Sequence, residues 1–322
     1  MRRLGIFFFY DNDGIVDNYV DYYLKSMKPF YDEICAVVNG SLSEDGRQKL
    51  GQSCSKILVR ENEGLDATAY KCAIENYGYE KLTEYDEVTC FNFTCFGPFY
   101  DLTKMFQEME TRDCDWWSLY KCTMQPPYVE GEHLPSFFIT YRKSMLSNPK
   151  FKEYWDSLPK INSYNDSVMY HEERQTPYFD KAGFKREVYF DFTKYDFDAS
   201  KNYWPLSRAD ELITNEQFPF LKRRNLYVDN KFVNFRLVKN SLDYIRKNTS
   251  YDTNMIAENI IRTQDIKSLD LKKKHPIKEF KWKIFANIHP NKKQRAKYKE
   301  KITNVVTSSQ YINYLKRDNN EK

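Results

Sequence analysis

In the first 120 residues, short apolar runs alternate with segments of helical period, and this alternation restricts the fold more than any single motif. Leu4–Tyr10 is an apolar run of strand length, whereas Val16, Tyr19, Val20, Tyr23, Leu24 and Met27 recur at helical spacing. The pattern repeats three times. A strand over Glu33–Asn39 precedes a short helix over Ser43–Gly51 with Ser43 as its cap. Lys56–Arg60 and Ala67–Tyr77 form the next strand and helix, followed by Glu87–Asn92, Leu102–Glu110 and a strand over Asp115–Tyr120. Strands separated by helices of this length predict a βαβ series, hence a parallel sheet with right-handed crossovers. Neither GxGxxG nor a P-loop string occurs, so a dinucleotide fold and a P-loop are unsupported.

Residues 125–190 continue the pattern. His133–Tyr141 reads as a strand, Phe151–Leu158 as a helix with Trp155 on its apolar side, Val168–Ala182 as a helix that Pro177 shortens, and Val188–Phe192 as a closing strand. From about Phe235 the chain turns helical and polar. The expected organisation is therefore an α/β domain over residues 1–235 and a helical, basic extension over 236–322.

Composition supports a packed core. The aromatic share is 17%, and 10 Gly and 12 Pro exclude collagen-like or Pro/Gly-rich disorder. No apolar stretch approaches the 18 residues of a membrane-spanning helix. The start MRRLGIFFFY carries the charge and apolar run of a signal peptide but no small-residue cleavage site, so a cytoplasmic location is expected. The seven cysteines are odd in number, all lie in the first 122 residues, and none forms a CxxC. Free buried thiols in a reducing compartment are expected from them, rather than disulfides or zinc.

Polar residues cluster where the expected strands end. Tyr10, Asp11 and Asp13 follow the first strand, and Asn39 the second. Asn62, Gly64 and Asp66 follow the third, and Asn92 and Thr94 the fourth. In an open parallel sheet the ligand crevice lies outside the carboxyl ends of the strands. Four such ends in register suggest a polar ligand with hydroxyls and phosphate, a nucleotide or nucleotide sugar.

The runs IFFFYDNDGIVDNYVDYYLK, VRENEGLDATAYK, YDEVTCFNFTCFGPFYDL, RDCDWWSLY, HLPSFFITYRKSM and AGFK, with FPFLKR later, resemble the rhamnan synthesis protein F family of bacterial glycosyltransferases. The resemblance covers roughly residues 3–225 in one order. It implies a GT-A-like fold, a nucleotide-sugar donor (typically dTDP-L-rhamnose) and a glycan acceptor, lipid-linked in that family's setting at the inner face of the cell membrane. By that likeness Tyr10, Asp11, Asp13 and Asn39 lie near base and ribose, while Asn62, Gly64 and Asp66 lie near the ribose-phosphate or sugar. Glu172 matches the position of a Glu ahead of the family's last helix and is the candidate general base for an inverting transfer. His133 matches the start of the family's acceptor-side strand.

One departure concerns metal. The family's fourth strand ends in a carboxylate-bearing Asn-Asp-Ser/Thr, and here it ends Asn92-Phe93-Thr94. Mg²⁺ or Mn²⁺ needs oxygen ligands that Phe93 does not have, so no metal site is assigned and metal dependence stays open. The strings Asp11–Asp13, Asp113–Asp115 and Asp196–Asp198 are weak signals in a chain with 46 acids. Asp113–Asp115 precedes its strand and reads as turn chemistry. Lys222 and Arg223, with Arg224, are candidates for stabilising the leaving diphosphate in place of a cation. His171 could bind an acceptor hydroxyl, although a lone His is more often a surface residue, and no Ser or Cys has a patterned His/Asp partner.

From Leu271 to Lys322 the chain carries 15 Lys/Arg against 4 Asp/Glu, a charge of +11 against −7 for the rest. Ile277, Phe280, Ile284, Phe285 and Ile288 share one helical face, with lysines off it. That pattern suits either docking on an anionic inner-leaflet surface or packing on the chain's own domain. Nucleic-acid binding is disfavoured by the acidic body and the lack of a recognisable motif. The rival to an enzyme is a catalytically silent glycan- or nucleotide-sugar-binding scaffold of the same fold, since sites can be lost from folds.

Overall fold

Strand β1 (Arg3–Tyr10) is buried from Arg3 to Phe9, which an apolar run can tolerate only with a neighbour on each side and helices over both faces. The computed structural model supplies both neighbours: β2 (Glu33–Asn39) and β4 (Glu87–Asn92) pair with β1 in parallel, and β3 (Lys56–Arg60) lies outside β2. The structure describes residues 1–124, 131–192, 208–228, 235–272 and 306–316, with 287, 291 and 294. After β5 (Cys95–Phe96) the strands continue as β6 (Trp116–Ser118), β7 (Cys122–Met124), β8 (Gly131–His133), β9 (Phe138–Arg142) and β10 (Arg186–Val188). The main sheet has seven strands in the order β10-β6-β9-β4-β1-β2-β3. The expected α/β sheet with flanking helices is present.

The all-parallel expectation needs one correction. β9 runs antiparallel to both β4 and β6. A parallel return would require a crossover of a dozen or more residues, whereas β7 and β8 fold as an antiparallel hairpin that brings the chain back directly. The reversal places the start of β9 at the edge where β1, β2 and β4 end.

The crossover helices follow the apolar periods. They are α1 (Asn18–Met27), α2 (Glu44–Gly51), α3 (Leu65–Tyr77), α4 (Tyr79–Leu82) and α5 (Thr103–Thr111). Ser43 caps α2 as expected, its Oγ accepting from Gly46 N at 3.0 Å. Beyond β9 come α6 (Lys143–Leu146), α7 (Pro149–Asp156), α8 (Tyr164–Ser167), a π-helical turn over Val168–Glu172, and α9 (Glu173–Lys181). Pro177 does not shorten this last helix. Proline forfeits only one backbone bond there, and the buried Gln175, Thr176 and Phe179 around it anchor the segment. Trp116, Tyr141, Tyr154, Trp155 and Phe179 form an aromatic core beneath it.

All seven cysteines are free, five buried and Cys72 and Cys122 half-buried. Burial pushes the thiols of Cys35 and Cys54 up to about 12, so both are inert at neutral pH.

The chain divides into two compact units, Met1–Cys95 with Asp101–Trp204, and Phe96–Tyr100 with Pro205–Lys322. In the second unit, Phe99 N donates to Pro219 O at 2.9 Å and Tyr100 OH to Ile213 O at 2.9 Å. A side chain at Gly97 would meet Pro219 O at 2.3 Å, so only glycine fits that approach. The expected extension is helical over Phe235–Asn248, Asn254–Thr263, Ser268–Lys272 and Ser308–Lys316. Ile277, Phe280, Ile284, Phe285 and Ile288, and the Asp196–Asp198 string, lie outside the described residues.

Candidate active site

The first two strand ends build loops more than they present ligands. Asp11 Oδ1 accepts from the backbone N–H of Asp13 and of Ile15, each at 3.0 Å, and so closes the turn after β1. Asp13 is exposed and Tyr10 half-buried. Asn39 was expected beside base and ribose, but it is fully buried. Its Nδ2 donates to Glu63 O at 3.2 Å, and its Oδ1 accepts from Arg60 Nη1 at 2.8 Å. Arg60 Nη1 also reaches Glu63 O at 2.8 Å. Asn39 therefore ties β2 to the loop that follows β3.

That loop turns sharply into α3. Gly64 adopts φ +65°, and a Cβ there would lie 1.9 Å from Thr68 Oγ1, one helical turn on. The glycine is thus required by its own helix rather than by a ligand's approach. Leu65 follows at φ +51°, an unusual conformation for a branched side chain and one that concentrates at functional sites. Asn62 is exposed on the loop.

Asp66, in the first turn of α3, begins a connected network. Its Oδ2 accepts from Asn92 Nδ2 at 3.1 Å, and its Oδ1 from Ser167 Oγ at 3.1 Å. Asn92 Oδ1 in turn accepts from Thr94 N at 3.2 Å and Thr94 Oγ at 2.6 Å. Between them, the Phe93 ring packs edge-on against Phe8 and Phe9, centroids 5.6 and 5.5 Å away. It fills apolar space at the end of β4, where the resemblance implies a carboxylate. Among the described residues no three His, Cys, Asp or Glu side chains converge as metal ligands would. The Phe93 ring itself offers no oxygen to a Mg²⁺ or Mn²⁺ ion.

The loop His133–Ser136 leads into the reversed β9. Leu134 N donates to Thr176 Oγ at 2.9 Å, and Ser136 N to Glu172 Oε2 at 3.1 Å, so helix residues fasten the loop from both ends. Ser136 Oγ lies 2.9 Å from Glu172 Oε2 and 3.4 Å from Asp66 Oδ2. His133 Nε2 approaches Glu172 Oε1 at 3.7 Å. The π-turn sets this arrangement: it ends at Glu172, and such turns are frequent at functional sites. His171 is not a surface residue. It is buried with its Nδ1 2.9 Å from Tyr154 OH, and desolvation holds its pKa down.

Burial alone would raise the Glu172 carboxyl, but the hydrogen bond and charge of His133 and the two Ser136 donors outweigh it and hold the group down at about 2. For His133, burial works to lower the imidazole. The partners Cys122 and Glu172 reverse that and push it up to about 10. Cys122 faces His133 across the hairpin.

These shifts set a pH window. The depressed Glu172 stabilises the fold fully above its unfolded value of 4.5 and loses that contribution as pH falls through about 2. The raised His133 stabilises fully below its unfolded 6.5 and loses that contribution as pH rises through about 10. Both act in full between 4.5 and 6.5. His133→Gln is expected to flatten the alkaline decline in melting temperature between pH 6.5 and 10. An unchanged decline in that variant would dissolve the pair.

The structure thus brings Asp66, Asn92, Thr94, His133 and Glu172 into one network, and adds Ser136 and Ser167, which carried no separate signal in the sequence. Lys222 and Arg223 belong to the second unit, where Arg223 is buried and donates from Nε to Asn259 Oδ1 at 3.0 Å.

No curated protein matches the chain. Among solved structures it is similar to glucosyl-3-phosphoglycerate synthase from Mycobacterium tuberculosis, in complex with Mn²⁺, UDP and phosphoglyceric acid. The identity is 12%, with 45% of this chain and 56% of that one covered, and the TM-score is 0.31. This chain thus spans little more than half of that protein. It is also similar to 4-diphosphocytidyl-2C-methyl-D-erythritol synthase from Anaerococcus prevotii, at 11% identity over 58% and 86% of the two chains and a TM-score of 0.37. A cytidylyltransferase from Leptospira borgpetersenii gives 13%, 78% and 100%, and 0.36. The family match runs over residues 34–306, most of the chain and all of the network above, and by it this chain belongs to the rhamnan synthesis protein F family.

Proposed function

We propose that the chain is a glycosyltransferase that moves L-rhamnose from dTDP-L-rhamnose, with inversion, onto a lipid-linked glycan in surface-polysaccharide assembly. Family membership supports sugar transfer in rhamnan synthesis. The observation that carries the reaction is the Glu172 carboxylate, held ionised by His133 and Ser136 at the sheet edge where the polar strand ends meet. In the proposed reaction an acceptor hydroxyl oxygen bonds to the anomeric carbon, the bond from that carbon to the diphosphate oxygen breaks, and Glu172 receives the acceptor proton. A carboxylate of pKa about 2 is a weak base toward a free alcohol. It is ample for the oxonium that forms as the new bond closes, which is far more acidic.

In this reading Asp66, Asn92 and Thr94 serve the donor sugar and phosphates, Tyr10, Asp11 and Asp13 its nucleoside, and His133 the acceptor. Asn39, Asn62 and Gly64 shape the donor loop. The +11 segment from Leu271 supports placing the protein against an anionic membrane surface, where each basic residue contributes about 1 kcal/mol. Among the described residues no helix is long and apolar enough to cross a membrane.

Phe93, apolar where the family pattern has a carboxylate, favours a second reading, a silent nucleotide-sugar-binding scaffold. Thermal shift with dTDP, UDP, GDP, CMP and their sugar conjugates, with and without Mn²⁺, tests binding. A ligand at 100 times its Kd stabilises by about 2.7 kcal/mol. The proposal expects the largest shift from dTDP-L-rhamnose, with Mn²⁺ adding nothing. No shift from any nucleotide would contradict both readings.

A further inference from the structure

The Ser136 hydroxyl stands between two carboxylates. Its oxygen lies 2.9 Å from Glu172 Oε2 and 3.4 Å from Asp66 Oδ2, and the residue is only 5% exposed. A hydroxyl carries one hydrogen and so donates to one carboxylate at a time. The shorter contact assigns that hydrogen to Glu172 in the resting protein. The remaining contacts keep all three groups in place whichever way it points. Ser136 N holds Glu172 at 3.1 Å, while Asn92 and Ser167 hold Asp66, each at 3.1 Å.

A proton delivered to Glu172 does not rest there, because the adjacent His133 cation and the Ser136 N–H favour the ionised form. It has to leave before the next turnover. The Glu172 side chain is 27% exposed, so solvent offers one exit, and the Ser136 hydroxyl offers another inside the protein.

We infer that Ser136 is a proton relay between Glu172 and Asp66 in the transfer proposed above, a reading on which this inference rests. After Glu172 has taken the acceptor proton, its Oε2–H bond breaks as a new Ser136 Oγ–H bond forms. The original Ser136 Oγ–H bond breaks as an Asp66 Oδ2–H bond forms. One proton moves from Glu172 to Asp66, Glu172 returns to a carboxylate, and the serine is unchanged. The relay links the acceptor side of the network to its donor side, where the departing diphosphate can take the proton from Asp66.

The test has two arms. The first needs no turnover. Glu172→Gln mimics the protonated carboxyl, and in the full chain carrying ¹³C-labelled aspartate it should move the Asp66 carboxyl resonance, identified by its loss in Asp66→Asn. In a Ser136→Ala background the same substitution should leave that resonance in place. Equal displacement in both backgrounds would overturn the coupling. The second arm is kinetic. Ser136→Ala should lower kcat roughly ten- to hundredfold, as expected for loss of a hydrogen bond to a charged group, with KM unchanged. Ser136→Thr should restore most of it, and the solvent isotope effect on kcat should shrink in Ser136→Ala. An unchanged kcat in an active Ser136→Ala protein would overturn the relay and leave the role of Glu172 standing. Absence of transfer in the native chain from any nucleotide sugar would overturn the proposed function and the relay with it, while the resonance arm still reports whether Ser136 couples the two acids.

Discussion

Glu172→Gln should reduce sugar transfer by on the order of 10²- to 10⁴-fold, the range a positioned general base contributes. The amide keeps the shape of the side chain and an acceptor for Ser136 N, so the Asp66–Asn92–Thr94 part of the network should survive. Donor binding, read as the thermal shift with nucleotide sugar, should therefore stay near its native value while kcat collapses. The substitution also removes the charge that helps hold His133 at about 10, so its imidazole should titrate at lower pH in the variant. A variant with near-native kcat would show that Glu172 only fastens the Ser136 loop. A variant that loses donor binding and turnover together would place the residue on the donor side instead.

The largest loss of stability is expected far from this site, at the opposite edge of the same sheet. Glu87, at the start of β4, is almost fully buried and accepts from Arg3 Nε at 2.7 Å, Arg142 Nε at 3.1 Å and Trp117 Nε1 at 3.3 Å. Arg3 is itself buried and has Glu110 as a second carboxylate at 2.7 Å. Glu87→Ala would leave two guanidinium groups short of their shared counter-charge, a change that costs about 3–5 kcal/mol in buried pairs. For a unit of this size that lowers the first melting transition on the order of 10 °C. Glu87→Gln, which keeps an acceptor, should lose less. Breaking the exposed Lys150–Glu153 pair should have no measurable effect, because water already solvates both partners. Equal losses at the two places would show that the buried cluster is not what anchors β1, β4 and β9 together.

What could be read from the sequence follows the range of the interactions involved. β1 to β4 and their crossover helices were legible because each depends on an apolar period within about ten residues, and Ser43 announced its helix by the same local rule. The reversal of β9 was not legible, since an apolar run looks alike in either direction and only the hairpin before it decides. Pro177 misled because a local rule against proline in helices was overridden by the buried side chains around it. At the site, Asp66, Asn92, His133 and Glu172 were legible individually, from strand-end position or family likeness, but Asn39 faces inward to brace a loop. Ser136 could not be found that way. Its partners are 36 and 70 residues away in the chain, and a lone serine in HLPSFF carries no signal until the fold brings them together. The Glu87 cluster was hidden for the same reason, with partners 84 and 55 residues away.

The most direct measurement is release of dTDP from dTDP-L-rhamnose by the full chain, followed in the presence and absence of a rhamnan-type glycan acceptor with the product's anomeric configuration determined. The account predicts dTDP release that depends on the acceptor, yields an inverted linkage, and falls with Glu172→Gln. Tight binding of dTDP-L-rhamnose with no dTDP released under any acceptor would contradict it and make the chain a nucleotide-sugar-binding scaffold.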